Sequence, residues 1–147
     1  MRLSEMQNKR TGLPEGFTGA RMEWKNVEAD FQIRKLCLLR RDAVNKDGEP
    51  IYFQQGARAG QPIPDDQIVM QIETRDGKNI VVRTNSRRLT SLFNGGIEDR
   101  DPDAKNIFGD RIYTVEPPEG WLRFTRFKME YKDGTKGEIA DLEEVDE

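Results

Sequence analysis

Three Asp-Gly pairs punctuate this chain, at Asp47-Gly48, Asp76-Gly77 and Asp133-Gly134, each set between apolar runs. A tight turn between strands needs φ > 0, which these residues tolerate cheaply, so each pair predicts a β-hairpin. The middle one is the clearest. In QIVMQIETRDGKNIVVRT, Ile68, Met70 and Ile72 alternate on one side, and Ile80 and Val82 pair back against them. In the first hairpin LCLLRR is answered by IYF, and in the third FKMEY is answered by GEIADL. Three hairpins require at least five or six antiparallel strands.

One helix is readable. Asn85 or Ser86 can N-cap SRRLTSLFNGG, with Leu89, Leu92 and Phe93 on one face and Asn94, Gly95 and Gly96 as the stop. Residues 1–20 hold Gly12, Pro14, Gly16 and Gly19 and read as an extended arm. Between them and the first hairpin, the spacing of Trp24, Val27 and Phe31 predicts a short helical turn near 22–29. A strand follows at about 31–41, with Phe31, Ile33, Cys37 and Leu39 on one face. The stretches 54–66, 94–110 and 114–120 are rich in Gly, Pro and Asp and read as loops. The fold class is therefore α+β, mainly antiparallel β. A small barrel of the oligonucleotide-binding (OB) kind with one short helix is the favoured closure, and a β-sandwich the alternative.

A chain of 147 residues is one domain with a real core, but only 35% of it is hydrophobic and 35% is charged, so the core must be small. It contains no histidine, which excludes histidine-dependent triads and ordinary zinc sites. Its one cysteine, Cys37, lies in the apolar run KLCLL and reads as a buried thiol. No apolar run approaches the roughly 18–20 residues of a membrane span. The opening MRLSEMQNKRTGLPEG has no apolar stretch like that of a secretory leader. A cytoplasmic location is the expectation, without membrane association.

The charge is unevenly placed. Six of the 27 acids (Glu138, Asp141, Glu143, Glu144, Asp146 and Glu147) fall in the final EIADLEEVDE, which has no base. All 24 bases therefore face 21 acids in residues 1–137. The expected organisation is an arm at 1–20, a β-rich domain at 21–137 and an acidic tail at 138–147. Blocks of like charge at a terminus are usually solvated, and some serve as interaction tails.

Two acidic constellations carry residue types that metal chemistry uses. Pro64-Asp65 and Asp76-Gly77-Lys78 have a spacing that metal-dependent nucleases tolerate, but Asp76 falls on a hairpin tip, which points into solvent. In DRDPDAKNIFGD, Asp99, Asp101, Asp103 and Asp110 sit at positions a calcium loop uses. Ala104 replaces the glycine of the sharp turn, Pro102 intrudes and Asp110 is a short arm, so a solvated acidic loop is the better reading. No cofactor and no catalysis are expected.

The third constellation carries the functional expectation. On a strand, Trp121, Arg123, Thr125, Phe127, Met129 and Tyr131 share one face, while Leu122, Phe124, Arg126, Lys128 and Glu130 share the other. Each face mixes rings with cations. Sheets that bind single-stranded nucleic acid use this mixture, because bases stack on rings while cations follow the backbone. Lysine and arginine stems beside rings on a half-exposed sheet are the structural alternative. The candidate stacking residues are Trp121, Phe127 and Tyr131. The candidate phosphate contacts are Arg123, Arg126, Lys128, Arg83, Arg87 and Arg88.

The stretch from Phe31 to Thr90, and within it IVMQIETRDGKNIVVRTNSRRL, resembles small phage-encoded single-stranded-DNA-binding and replication-accessory proteins. The shared outline is an apolar strand, an Asp-Gly turn, a second strand ending in Thr, then Ser86-x-x-Leu89 opening a helix. The acidic end is similar to the tails of such proteins, although those usually finish in an apolar or aromatic residue and this chain finishes Val145-Asp146-Glu147. The resemblance implies an OB barrel in a host cytoplasm. The partners it implies are single-stranded DNA or RNA and, through an autoinhibitory or partner-binding tail, a replication or host protein. A homo-oligomer is left open. The alternative is a phage structural or assembly subunit, or an inhibitor of a host enzyme.

Overall fold

In chain order, the computed structural model has β1 (Ala20–Arg21), a 3₁₀ turn (Trp24–Asn26), β2 (Phe31–Arg40), β3 (Gln67–Thr74), β4 (Asn79–Thr84), α1 (Arg87–Asn94), β5 (Ile97–Asp99), β6 (Arg111–Val115), β7 (Trp121–Glu130) and β8 (Lys136–Val145). The structure describes residues 16–94, 97–99 and 111–146. The expected arm at 1–20 thus lies outside the described residues up to position 15.

The middle hairpin forms as its alternation dictates. β3 and β4 pair antiparallel with Met70 opposite Val82 and Ile72 opposite Ile80, and Thr74 N–H donates to the Lys78 carbonyl at 3.0 Å across the Asp76-Gly77 turn. The third hairpin joins β7 and β8, closed where Tyr131 N–H donates to Thr135 O at 2.8 Å. The first differs from expectation. Asp47-Gly48 does turn, with Asn45 N–H bonded to Glu49 O at 2.9 Å, but LCLLRR pairs with β3 and β6 rather than with IYF. Those apolar residues are covered more fully in the middle of a large sheet than in a local hairpin.

All the strands among the described residues belong to one sheet, in the order β1-β4-β3-β2-β6-β5, with β7 joining β2 at the Phe31–Leu122 pair and β8 flanking β7. A sandwich of two separate sheets is therefore not the architecture. Long β2 carries β3 along one side and shares its other side between β6 and β7, which forces the sheet to curl. The result is a mostly antiparallel half-barrel with one helix. Within the described residues β4 pairs only with β3 and the short parallel β1, so the sheet stays open on that side, and α1 packs against β8, β2 and β3 across the opening.

The core sits inside the curl. Phe31, Leu38, Ile68, Met70, Ile72 and Leu89 are fully buried there. Each such side chain contributes about 1.5–3 kcal/mol relative to exposure. A smaller cluster of Phe17, Cys37, Leu39, Val69 and Val81 lies on the outer face of the same strands. Phe31 and Ile33 therefore do not share a face with Cys37 and Leu39, as strict alternation required. A bulge between Ile33 and Lys35 adds a residue, so Leu36 and Leu38 continue the inner face and the parity reverses. In α1, Leu89 and Phe93 are buried but Leu92 is exposed, because the helix touches the sheet along a narrow stripe. The Ser86 hydroxyl donates to the Ala140 carbonyl of β8 at 3.2 Å, tying the helix start to that strand.

The acidic end is not a solvated tail. Glu138 to Val145 form most of β8, paired along the whole of β7, with Ala140 buried and Leu142 packed on the core. The expected boundary at 138 disappears for that reason. Among the described residues, no helix is long and apolar enough to cross a membrane.

Candidate nucleic-acid interface

β7 changes character along its length. Leu122 and Phe124 enter the core, with the Phe124 ring 4.8 Å from that of Phe31 and 6.2 Å from that of Trp24. From Arg126 onward every residue of the strand is exposed, so the hairpin beyond the Arg126–Ala140 pair stands clear of the core. Phe127 and Tyr131 are each 48% exposed and Met129 41%. They occupy alternate positions on one face, roughly 6.6–6.8 Å apart along the strand.

That row of side chains forms one wall of a groove. One pocket of about 520 Å³ is lined by Phe127, Met129 and Tyr131 together with Trp24, Asn85, Ser86, Arg87 and Arg88. A second, of about 500 Å³, shares Trp24, Thr84 and Asn85 with it and adds Arg21, Lys25 and Arg83. A third, of about 600 Å³, shares Lys25, Met129 and Glu138 and adds Lys128 and Lys136. The start of α1, the 3₁₀ turn, β4 and the free end of the β7–β8 hairpin thus frame a continuous surface of rings and cations.

The nine residues singled out from sequence separate into two groups. Phe127, Tyr131, Arg87, Arg88 and Arg83 line these adjoining pockets, with Lys128 at their margin on the other face of β7 from the rings. Trp121, Arg123 and Arg126 do not serve it as expected. Trp121 lies at the far end of β7, about 30 Å from Tyr131 at the strand rise, and Arg75 covers its ring with a guanidinium 4.2 Å from the centroid. Arg123 donates to Asp30 at 2.9 Å and lies 3.5 Å from Glu143. Arg126 donates to the Lys25 carbonyl at 2.7 Å and lies 3.5 Å from Glu138. Arg83 is half-buried and donates to Gln67.

Carboxylates of β8 therefore partner the cations beside them. Arg88 stacks over the Phe127 ring at 4.8 Å and donates to Asp141 at 2.7 Å. Burial pulls the Asp141 carboxyl upward, but the Leu142 N–H and Arg88 outweigh it and hold the group below its ordinary value. At the other end of the strand, the hydrogen bond from Arg123 holds Asp30 below its usual range, with Arg75 adding to the effect. Arg87 and Lys128 form no ion pair among the described residues, although Lys128 stands opposite Glu138 on β8.

Trp24, Lys25, Arg21 and Met129 were not among the expected site residues. The signal for Trp24-Lys25 lay in the local pair itself, a ring beside a cation next to a strand, and Lys25 does sit 5.9 Å above the Trp24 ring. Their distance in sequence from β7 concealed the shared surface.

The acidic constellations carry no assembled site. Asp65 is held by Arg41 at 3.0 Å, whereas Asp76 accepts from the Thr74 hydroxyl at the hairpin tip. The eight residues of β3 separate the two by roughly 26 Å. Asp101, Asp103 and Asp110 lie outside the described residues, as does the side chain of Asp99. Among the described residues, no three acidic or cysteine side chains converge as metal ligands.

No protein-family model, curated protein or solved structure matches this chain.

Proposed function

We propose that this protein binds single-stranded nucleic acid, without catalysis, in the groove between the β7–β8 hairpin and the start of α1. The observation that carries the reading is the exposed row Phe127, Met129 and Tyr131, set beside Arg87, which has no ion pair among the described residues, with Lys128 at the margin of the groove. Bases stack on exposed rings whatever their identity, and cations alongside take the phosphates. A duplex hides its bases, so the row favours single strands. The curled half-barrel is then an OB-like sheet left open at β4, with its ligand on the strand side next to the helix. A phage or mobile-element source and a host-cytoplasm location are part of the same proposal and rest on the sequence outline of residues 31–90 alone.

In this reading the acidic end acts in place rather than as a tether. Asp141 holds Arg88 within the fold, so phosphate must compete for that cation. Fluorescence anisotropy of labelled single-stranded DNA, single-stranded RNA and duplex DNA across a salt series tests the proposal. Affinity for the single strands falls steeply with salt, because bound phosphates release counterions. Absence of binding at low salt overturns the reading, and equal affinity for duplex overturns the stacking mode.

A further inference from the structure

Residues 42–64 leave the sheet between β2 and β3 and fold upon themselves. Ile51 N–H donates to Ala43 O at 3.1 Å, Ile63 N–H to Ile51 O at 2.9 Å, and Ala43 N–H to Ile63 O at 2.8 Å, so three segments close a ring of pairings. Bridges Asp42–Pro64, Val44–Pro50 and Tyr52–Pro62 brace it. Three prolines with fixed φ stiffen such a unit. Yet no side chain from 42 to 64 is buried, and Val44, Ile51 and Tyr52 are exposed. A stiff projection bearing apolar side chains marks an interaction site. Its second half, IYFQQGARAGQPI, carries one charge, Arg58, and no acid.

A complementary feature lies elsewhere on the chain. An apolar cleft of about 390 Å³ between α1, the β6–β7 connection and β8 is lined by Leu92, Pro118 and Leu142 and rimmed by Glu116, Glu143 and Glu144. Glu143 lies 3.5 Å from Arg123, while Glu116 and Glu144 have no cationic partner among the described residues. Residues 42–64, an arm of their own, leave the sheet at a different point from Leu122 of the cleft. The arm leaves β2 beyond Arg40, whereas Leu122 beside the cleft pairs with Phe31 at the other end of that strand, roughly 30 Å away.

We infer that the 42–64 arm of one copy docks in the acidic cleft of a second copy, with Ile51 and Tyr52 against Leu92 and Leu142 and Arg58 facing the glutamate rim. Such a contact either is reciprocated about a two-fold axis, each arm entering the other's cleft, or runs head to tail into a ring or chain of subunits. The inference is independent of nucleic-acid binding and is tested without nucleic acid. Tyr52→Ser and Leu92→Lys change exposed residues, and circular dichroism checks that both variants keep the fold. By size exclusion with light scattering, the wild-type mass rises above that of a monomer with concentration, and each variant is monomeric. An equal mixture of the two forms a one-to-one pair and nothing larger, because one keeps the cleft and the other the arm. A wild-type monomer at every concentration, an oligomer indifferent to both changes, or a mixture that stays monomeric each overturns the inference.

Discussion

Arg75 covers Trp121, its guanidinium 4.2 Å from the ring centroid, and also lies 3.5 Å from Asp30. Asp30 in turn accepts from Arg123. The residue that looks most like a stacking platform in the sequence is thus already stacked, on a cation of the same chain. The expected outcome is an asymmetry along β7. Trp121→Phe leaves oligonucleotide affinity within about twofold, while Tyr131→Ala removes a stacked base worth about 1–3 kcal/mol, or roughly 5- to 150-fold, and Phe127→Ala, whose ring carries Arg88 on one face, falls between the two. Anisotropy titrations of the three variants check this, and a loss at Trp121 equal to that at Tyr131 contradicts it.

The same network sets a response to acid. Asp30 is held below its ordinary 3.8 first by the Arg123 hydrogen bond. A carboxylate whose folded pKa is depressed adds stability that is complete above its ordinary value and is lost as pH falls through the folded value. Asp76, Asp133 and Asp141 act in the same direction, and Asp66, raised by burial, acts in the opposite one. Asp30→Asn therefore destabilises the protein at about pH 6 and flattens the decline in stability below about pH 4. Urea unfolding of both proteins across that range measures the change. Parallel pH profiles for the two proteins rule out Asp30 as a source of the acid response.

The parts of the fold written in local chemistry were legible in the sequence. The Asp76-Gly77 hairpin, the turn at Asp133-Gly134, the turn of helix near Trp24 and the helix after Ser86 all follow from residues within a few positions of each other. What the sequence hid depends on distant partners. The bulge after Ile33 reverses which residues of β2 face inward, and no local pattern marks it. The acids from Glu138 onward look like a solvated tail because their neutralising arginines, Arg88, Arg123 and Arg126, lie on other elements. The candidate site was half legible for the same reason. The β7 residues could be named, but whether each ring was exposed or capped depended on Arg75 and Arg88.

Cys37 gives an independent measure of the outer-face cluster. Burial pushes its thiol up to about 12, and only thiolates react with disulfide reagents. At about pH 8 the native protein leaves its thiol unmodified on the timescale in which the urea-unfolded chain reacts fully. Residual reactivity tracks opening of the β2–β3–β4 sheet and falls as stability rises. Rapid, stoichiometric labelling of the folded protein contradicts a closed cluster of Phe17, Leu39, Val69 and Val81 around the sulfur.

Removing the acidic end has a consequence that its composition conceals. Ala140 and Leu142 pack on the core and β7 has β8 as its partner along ten residue pairs, so truncation after Thr135 strips a strand. The truncated chain loses its cooperative thermal transition or aggregates, and it does not gain oligonucleotide affinity as a chain freed of a tethered competitor would. Calorimetry alongside anisotropy separates the two outcomes. A stable truncated protein with tighter binding sinks the strand-based account.

Gly137 offers a way to disturb the proposed site without touching the core. It stands on β8 opposite Met129, and a Cβ built there comes within 2.7 Å of the Tyr131 ring, which lies across its backbone. An aromatic ring covering a glycine on the neighbouring strand is a known way to shield exposed backbone. Alanine at 137 pushes the ring aside. Tyr131 is an exposed side chain near the hairpin end, free to rotate away, so the cost in stability stays below about 1 kcal/mol, as for most surface changes. The ring nevertheless leaves the row it forms with Phe127 and Met129. Gly137→Ala therefore weakens single-strand binding about as much as Tyr131→Ala does, while the melting temperature moves by only a few degrees. Adding Gly137→Ala to Tyr131→Ala produces no further loss, because both changes remove the same ring. A double variant much weaker than either single one shows that Gly137 acts on the site by some route other than Tyr131.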